Sequence, residues 1–178
     1  MDLLQLIKEN FKLTNLNVRT ERHGDEEVGA ADINFEADVA NNYLVKFSPD
    51  LRECMYRQDP KATLDMLNPD FAANLRNPQI GAINWDLTIN NASLEIHDDS
   101  DLGYFHCGTV KAGKFVFNCK EGGTVAITFK AQVLPEEDQA GLLPVMLGQK
   151  VKVSVSGGQV AEDAPPPDKE EFEQQPLH

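Results

Sequence analysis

The chain has 178 residues, with 29 acidic residues against 16 basic ones and a formal net charge of −13 at pH 7. This length fits one domain with a tail, and it buries enough surface to fold without a metal ion or a disulfide. The negative charge repels nucleic-acid phosphates and disfavours a general DNA-binding protein, so it favours a protein that meets basic partners.

The composition also predicts a compartment. No apolar run approaches the roughly 20 residues that cross a bilayer, and the opening MDLLQLIKEN lacks the basic start and cleavage pattern of a signal peptide. Cys54, Cys107 and Cys119 are odd in number and have no metal-ligand spacing, which favours reduced thiols. We therefore expect a cytoplasmic protein with no cofactor and no membrane association.

The first forty residues predict a short helix and two strands. Residues 1–10 place four aliphatic side chains on one side of a helix, and residues 11–19 read as a first strand. The stretch ERHGDEEVGAADINFEADV then begins with a polar turn and ends in strict alternation. Period two predicts an antiparallel strand with one buried face, formed by Ala31, Ile33, Phe35, Ala37 and Val39.

Residues 41–81 have a different character. Apolar residues up to about Arg57 recur near helical spacing and Pro49 interrupts them, so we predict two short helical turns, with Ser48 as N-cap and Pro49 at the first helical position. Residues 58–81 carry three prolines and predict an extended loop with one or two helical turns. A loop of this length is often functional or mobile.

The β pattern resumes at Trp85. Its phase changes at Asn90-Asn91, which indicates a tight turn or a bulge. YFHCGTV and KFVFNC flank KAG, which predicts a hairpin with Gly113 in the turn. TVAITFKAQV and KVKVSVS provide two more strands, with a short helix in the intervening PEEDQAGLLPVMLG.

These elements predict a mainly β, antiparallel fold with short helical insertions, either a β-sandwich or a partly open barrel. We expect residues 1–160 to form a single β-rich domain. Residues 161–178 contain six acids and four prolines with few large apolar side chains. This composition predicts a disordered acidic tail.

Two acidic clusters are candidate interaction surfaces. The polar turn would supply metal ligands, but a run broken by Gly24 is typical of a turn, so we expect no metal. HDDSDLG is similar to a calcium loop but lacks the flanking helices and the final glutamate, so we expect a solvated connection. The residues of the two predicted surfaces are His23, Asp25, Glu26 and Glu27, and Asp98, Asp99 and Asp101.

Motifs of catalysis are not found. The sequence has no G-x-S-x-G element and no phosphate loop with its lysine. His106 and Cys107 are neighbours on a predicted strand, so their side chains point to opposite faces. We predict no catalytic residue and no enzyme, and we keep a metal-dependent hydrolase around His23 as the third alternative.

A single-stranded nucleic-acid face is a further alternative, because such faces combine basic and aromatic side chains. Phe115 and Phe117 alternate with polar residues and are predicted in the core, which leaves for this face Tyr104, Lys111, Lys114, Lys120 and Lys130. The tail resembles the acidic, partner-recruiting tails of single-stranded DNA-binding proteins through Phe172, although EQQPLH follows that residue here.

LNVRTERHGDEEVGAADINFEADV, with LVKFSPDLRECMYR after it, resembles uncharacterised phage and prophage proteins. They share a strand, an H-G-D-E turn and a second alternating strand, and the resemblance extends to LGQKVKVSV. It implies a bacterial host cytoplasm and names no activity. The leading hypothesis is a non-enzymatic phage-type protein whose acidic surface binds a nucleic-acid-handling protein as inhibitor or accessory factor. The runner-up is a single-stranded DNA-binding accessory protein of phage recombination or replication, with a partner-recruiting tail.

Overall fold

The computed structural model describes residues 4–58, 74–97 and 103–160. A 3-10 helix spans Asn41–Lys46, and three short α-helices are α1 (Leu51–Met55), α2 (Glu137–Ala140) and α3 (Leu142–Met146). The strands are β1 (Leu6–His23), β2 (Glu26–Ala40), β3 (Tyr56–Arg57), β4 (Asn74–Leu75), β5 (Ala82–Trp85), β6 (Ile89–His97), β7 (Tyr104–Cys119), β8 (Thr124–Val133) and β9 (Lys150–Val160).

Six of the strands form a closed barrel. Their order is β7-β6-β9-β1-β2-β8, all pairs are antiparallel, and pairing of β8 with β7 closes the ring. β5 lies outside the ring and pairs with the second half of β7, and β3 and β4 form a separate two-stranded pair. The mainly β, antiparallel prediction is confirmed, and of the two architectures considered the barrel is observed, fully closed.

Alternating side chains fill the barrel interior, as the period-two patterns predicted. Phe129 lies at its centre, stacked on Phe35 at 4.9 Å and on Phe115 at 5.4 Å and edge-on to Phe11 at 5.2 Å between ring centroids. These four rings come from four strands, β8, β2, β7 and β1. Aromatic contacts of this kind stabilise the fold by about 0.5–1.5 kcal/mol each beyond the burial of their surface. Here they link strands that are distant in sequence.

The 3-10 helix and α1 cover one side of this core. Phe47 follows the 3-10 helix and packs its ring 4.6 Å from that of Phe117. Tyr56 is fully buried, and its hydroxyl lies 3.0 Å from the carbonyl oxygen of Lys120 and 2.9 Å from that of Thr124. The chain between β2 and β3 is therefore held to the turn that joins β7 to β8.

Bulges bend the barrel strands, and the pairing register shifts at five places among the described residues. Three of these bulges lie in β1 between Leu6 and Glu9, in β6 between Ile89 and Ala92, and in β7 between Gly113 and Val116. Each of these three contains one residue other than glycine at positive φ, namely Lys8, Asn91 and Lys114 at 51°, 54° and 54°. A bulge re-aims the side chains beside it and increases the local twist. The phase change at Asn90-Asn91 is therefore a bulge.

Two sequence predictions are wrong. The predicted N-terminal helix is strand from Leu6 onward, because pairing of Leu6 with Val155 overrides the local apolar spacing. KAG is not a hairpin, because β8 pairs with β7 on both sides of Gly113 and keeps the strand continuous. Gly113 is needed there for another reason, since a Cβ would lie 3.1 Å from Thr88 Oγ1 and 3.3 Å from the Leu87 carbonyl oxygen.

Other predictions are confirmed in outline. Gly24 and Asp25 form the turn between β1 and β2, and β8 and β9 have the predicted inward faces. Two short helical segments lie between β2 and β3, but α1 begins at Leu51 after Asp50, so Ser48 and Pro49 do not start it. Most of the predicted loop 58–81 lies outside the described residues.

Gly158→Ala should destabilise the barrel more than Gly157→Ala. Both glycines have positive φ, 82° and 69°, so alanine at either position costs about 1–2 kcal/mol. At Gly158 the added Cβ would also lie 2.6 Å from the Asn90 carbonyl oxygen, whereas at Gly157 nothing lies within 4 Å. We expect a further loss of about 1–3 kcal/mol from this overlap, measured by urea unfolding. Equal losses would contradict the close approach of β9 to the β6 bulge.

Candidate functional site

The outer face of β7 carries two groups of exposed side chains. Inward residues of this strand are buried, and two bulges, at Gly108-Thr109 and at Gly113-Lys114, keep the outward set on one face. Tyr104 and His106 lie in the half that pairs with β6, and Lys111 and Lys114 lie nearer the half that pairs with β5. Cys107 is buried and His106 is exposed, which confirms that these neighbours face opposite sides.

The first group is a row of three rings. Tyr104 is 45% exposed, and its ring centroid lies 4.7 Å from that of His97 on β6 and 6.3 Å from that of His106. The rings of Tyr104 and His106 are nearly parallel, with an interplanar angle of 18°. Cross-strand pairing of His97 with Tyr104 produces this arrangement. An exposed tyrosine held between two rings offers a flat face to a ligand.

One carboxylate lies against these rings, and α2, which carries three more at its start, is hydrogen-bonded to β7 at His106. Glu95 Oε2 lies 3.6 Å from His97 Nε2, and the exposed Glu136, Glu137 and Asp138 occupy the start of α2. The side-chain oxygen of Gln139 accepts a hydrogen bond of 3.0 Å from the backbone N–H of His106, which holds α2 beside the rings. We call this set the acidic tyrosine surface: Glu95, His97, Tyr104, His106, Glu136, Glu137 and Asp138.

The polar groups of this surface include a phenol and a hydroxyl–imidazole pair. Partial desolvation and the neighbouring Glu95 carboxylate raise the pKa of Tyr104, so its phenol stays protonated at neutral pH. Ser93 Oγ lies 3.3 Å from His106 Nε2, as a nucleophile and its base would. His106 is exposed on the outer face, where water competes for the pair, and we assign it no catalytic role.

The second group is a cleft lined by cations. Lys111, Lys114 and Lys130 surround a depression of about 320 Å³ together with Thr88, Gly113 and Gln132. It shares Lys111 and Gln132 with a neighbouring depression that Arg19 lines, and it shares Lys114 and Lys130 with another that Thr14 and Asn34 line. We call this set the lysine cleft: Arg19, Lys111, Lys114, Lys130 and Gln132.

Asp32 organises part of this cleft. Its side chain is 12% exposed, and it accepts hydrogen bonds from Lys130 at 2.7 Å and Gln132 at 3.2 Å and forms an ion pair with Arg19. Burial opposes ionisation of the carboxyl group, but the hydrogen bonds from Lys130, Arg19 and Gln132 outweigh it and lower the pKa of Asp32 to about 2. Lys111 and Lys114 have no ion-pair partner among the described residues.

The structure brings together only some of the predicted site residues. Lys111, Lys114 and Lys130 share the cleft, whereas Lys120 forms an ion pair of 2.9 Å with Asp38 elsewhere, and Tyr104 lies towards the other end of β7.

At the predicted turn surface, Glu27 lies 3.6 Å from Arg22, Asp25 is exposed, and the side chains of His23 and Glu26 are not described. Asp98, Asp99, Asp101 and Phe172 lie outside the described residues.

The negative charge is distributed unevenly. The described residues contain sixteen acids against fourteen basic residues and therefore carry a net charge of −2. Thirteen acids against two lysines, a net −11, belong to residues 1–3, 59–73, 98–102 and 161–178. Because the net charge of the described residues is small, the charge of each surface depends on which acidic and basic side chains lie together there.

Sequence reasoning did not find Arg19, Asp32, Glu95 or the acids before and within α2. A signal for Asp32 was present, since it is a polar residue inside the alternating strand, but its three partners come from β1 and β8. Glu136, Glu137 and Asp138 were interpreted as helix-start residues, and their nearness to Tyr104 depends on tertiary structure.

Comparison of the chain with protein-family models, curated proteins and solved structures gives no match. Within residues 4–58, 74–97 and 103–160, no group of three or more histidine, cysteine, aspartate or glutamate side chains is arranged to hold a metal ion. The helices of these same segments are all too short or too polar to cross a membrane. The two surfaces on β7 are therefore interpreted from their own residues.

Asp32→Asn should destabilise the protein at pH 7 by about 1–2 kcal/mol, with a difference that shrinks as the pH falls. A carboxyl whose pKa is lowered on folding contributes stability above its unfolded pKa of about 3.9, and this contribution is lost as the pH falls towards 2. Urea unfolding of wild type and variant at pH 7 and pH 2.5 measures it.

Asp38→Asn provides the control. Asp38 also pairs with a lysine, but both side chains are largely exposed, so its loss should change the unfolding free energy by less than about 0.5 kcal/mol. An Asp32→Asn difference that stays constant down to pH 2.5 would contradict the lowered pKa of Asp32.

Proposed function

We propose that this is a non-enzymatic binding protein that contacts a basic surface of another protein. The observation that carries the proposal is the acidic tyrosine surface, where an exposed aromatic ring lies beside carboxylates. Glu136, Glu137 and Asp138 have no ion-pair partner among the described residues. Their charges are available to a partner.

The chemistry of the surface favours arginine or lysine side chains. A guanidinium group over an exposed tyrosine ring gains about 0.5–1 kcal/mol, and a neighbouring carboxylate adds a charge-assisted hydrogen bond. Glu95 and Tyr104 are close enough to contribute to one such contact, since the carboxylate of Glu95 acts on the pKa of the phenol. Lys152 on β9 is in register with His97, and the four carboxylates of the acidic tyrosine surface outnumber this lysine.

A nucleic-acid-handling protein is the partner that we propose. Such proteins present basic surfaces to bind phosphates, and an acidic surface competes for them or recruits them. The similarity of residues 11–57 to phage and prophage proteins suggests a setting in which a host protein of this kind is inhibited or used. The sequence adds three acids, Asp98, Asp99 and Asp101, to the connection between His97 and Tyr104.

A labelled arginine-rich peptide tests the surface directly. The full chain should bind it at 50 mM salt, as measured by fluorescence anisotropy, and more weakly at 200 mM salt. Tyr104→Ala should weaken binding about two- to fivefold, because it removes the ring that the guanidinium group contacts. Neutralising Glu136, Glu137 and Asp138 as Gln, Gln and Asn should weaken it further.

The control variant removes three negative charges from residues outside the acidic tyrosine surface. Glu36, Asp50 and Glu53 are exposed, and their replacement by Gln, Asn and Gln changes the net charge equally. If this control weakens peptide binding as much as the triple replacement of Glu136, Glu137 and Asp138 does, the total charge of the protein attracts the peptide and the acidic tyrosine surface is not the binding site. If neither the wild type nor the variants bind the peptide at 50 mM salt, a basic protein surface is not the partner.

A further inference from the structure

We propose that the lysine cleft is a second binding site, for the phosphate backbone of a single-stranded nucleic acid. The cleft and the acidic tyrosine surface share no residue and carry opposite charge. The inference therefore stands independently of the protein-binding function. It follows from the placement of cations on the outer faces of β7 and β8.

The pairing of β7 with β8 places the lysines of the cleft near one another. Gly113 pairs with Lys130, and Lys111 pairs with Gln132, so the side chains of Lys111 and Lys130 lie on adjacent strands, one pair apart along the sheet. Lys114 follows at the bulge with φ of 54° and is exposed, which places it in the same depression as Lys111 and Lys130. Two to three residues separate the lysines of β7, a distance of roughly 7–10 Å along the strand.

The charges of the cleft are available to different degrees. Asp32 holds Lys130 and Arg19 in place, so these two side chains are already ordered before a ligand arrives. Lys111 and Lys114 lack an ion-pair partner among the described residues and would neutralise phosphates without first breaking an ion pair. Against Arg19 and the three lysines stand two carboxylates, Glu21 and Asp32, which leaves the cleft at +2. The cleft is thus positive on a protein whose total charge is −13.

The polar neighbours of the cleft suit a phosphodiester chain. Thr88, Gln132 and Asn34 line the connected depressions and supply hydrogen-bond donors for phosphate and sugar oxygens. The two exposed lysines and Lys130 neutralise up to three phosphates, for which the affinity should fall about 15- to 20-fold between 50 and 200 mM salt. Among the described residues, no exposed aromatic side chain lines these depressions, so binding should depend little on base sequence.

Anisotropy of three labelled nucleic acids with the full-length protein tests the inference. They are a 20-nucleotide oligothymidylate, a 20-nucleotide oligouridylate and a 20-base-pair DNA duplex, each at 50 and 200 mM salt. We expect salt-sensitive binding of at least one single strand, weakened at least tenfold in the variant Lys111→Gln, Lys114→Gln. The stronger of the two single strands identifies DNA or RNA as the source of the phosphates.

Lys12→Gln, Lys150→Gln is the matched control, because both lysines are exposed, lie outside the cleft and change the net charge equally. It should bind like the wild type, and both variants should melt within a few degrees of it. Failure of every single strand to bind at 50 mM salt would overturn the inference, as would equal weakening by the control or preference for the duplex. Arginine-peptide binding in the cleft variant reports separately on the acidic tyrosine surface.

Discussion

Pairing between β7 and β8 is the constraint on which the other features depend. It closes the barrel, it keeps β7 continuous through the bulge at Gly113 and Lys114, and it encloses Phe115 and Phe129 in one aromatic cluster. Because β7 is held on both edges, its sixteen residues are fixed on one rigid strand. The spacing of the side chains on its outer face is therefore set by strand pairing and does not depend on the conformation of the adjoining turns.

Groups of opposite charge thus lie along β7: the acids belong to β6 and α2, and the lysines belong to β7 and β8. Near the start of β7, Tyr104 and the acids of α2 suit a cationic partner, and further along, Lys111 and Lys114 suit an anionic one. Nucleic-acid-handling proteins and their substrates provide this combination of charges. A protein that touches both at once would gain from effective concentration, because the second contact becomes intramolecular. The near neutrality of the described barrel makes this local separation of charge possible.

Sequence reasoning succeeded where local pattern and tertiary pairing agree. The alternation of Ile33, Phe35 and Ile127 was interpreted correctly because burial of one face is a property of each strand alone. It failed at Leu6 and at KAG, where a neighbouring strand decides the conformation: pairing with β9 makes residues 6–10 extended, and pairing with β8 keeps β7 from turning back. The pattern of a few neighbouring residues does not show which strand will pair with them.

The candidate sites show the same division. Lys111, Lys114 and Lys130 were identified as a basic set because they cluster along the chain, and two neighbouring strands do bring them together. Lys120 belongs to the same sequence cluster but directly follows the end of β7 at Cys119, away from the cleft, and pairs with Asp38. Glu136, Glu137 and Asp138 are more than thirty residues from Tyr104 in sequence, and the hydrogen bond between Gln139 and the His106 backbone holds their helix beside β7.

The ribbon formed by β1 and β2 extends beyond the barrel. Pairing of β9 with β1 ends at Lys12, and pairing of β8 with β2 begins at Ala31, so within the described residues the intervening ribbon is held by its own two strands. Val18, 67% exposed, shows how little of it is packed. Its amide hydrogens should exchange with solvent through local opening, at a free energy well below that of the barrel. We therefore expect slow, cooperative exchange in the barrel strands and faster exchange, through local opening, in the projecting ribbon.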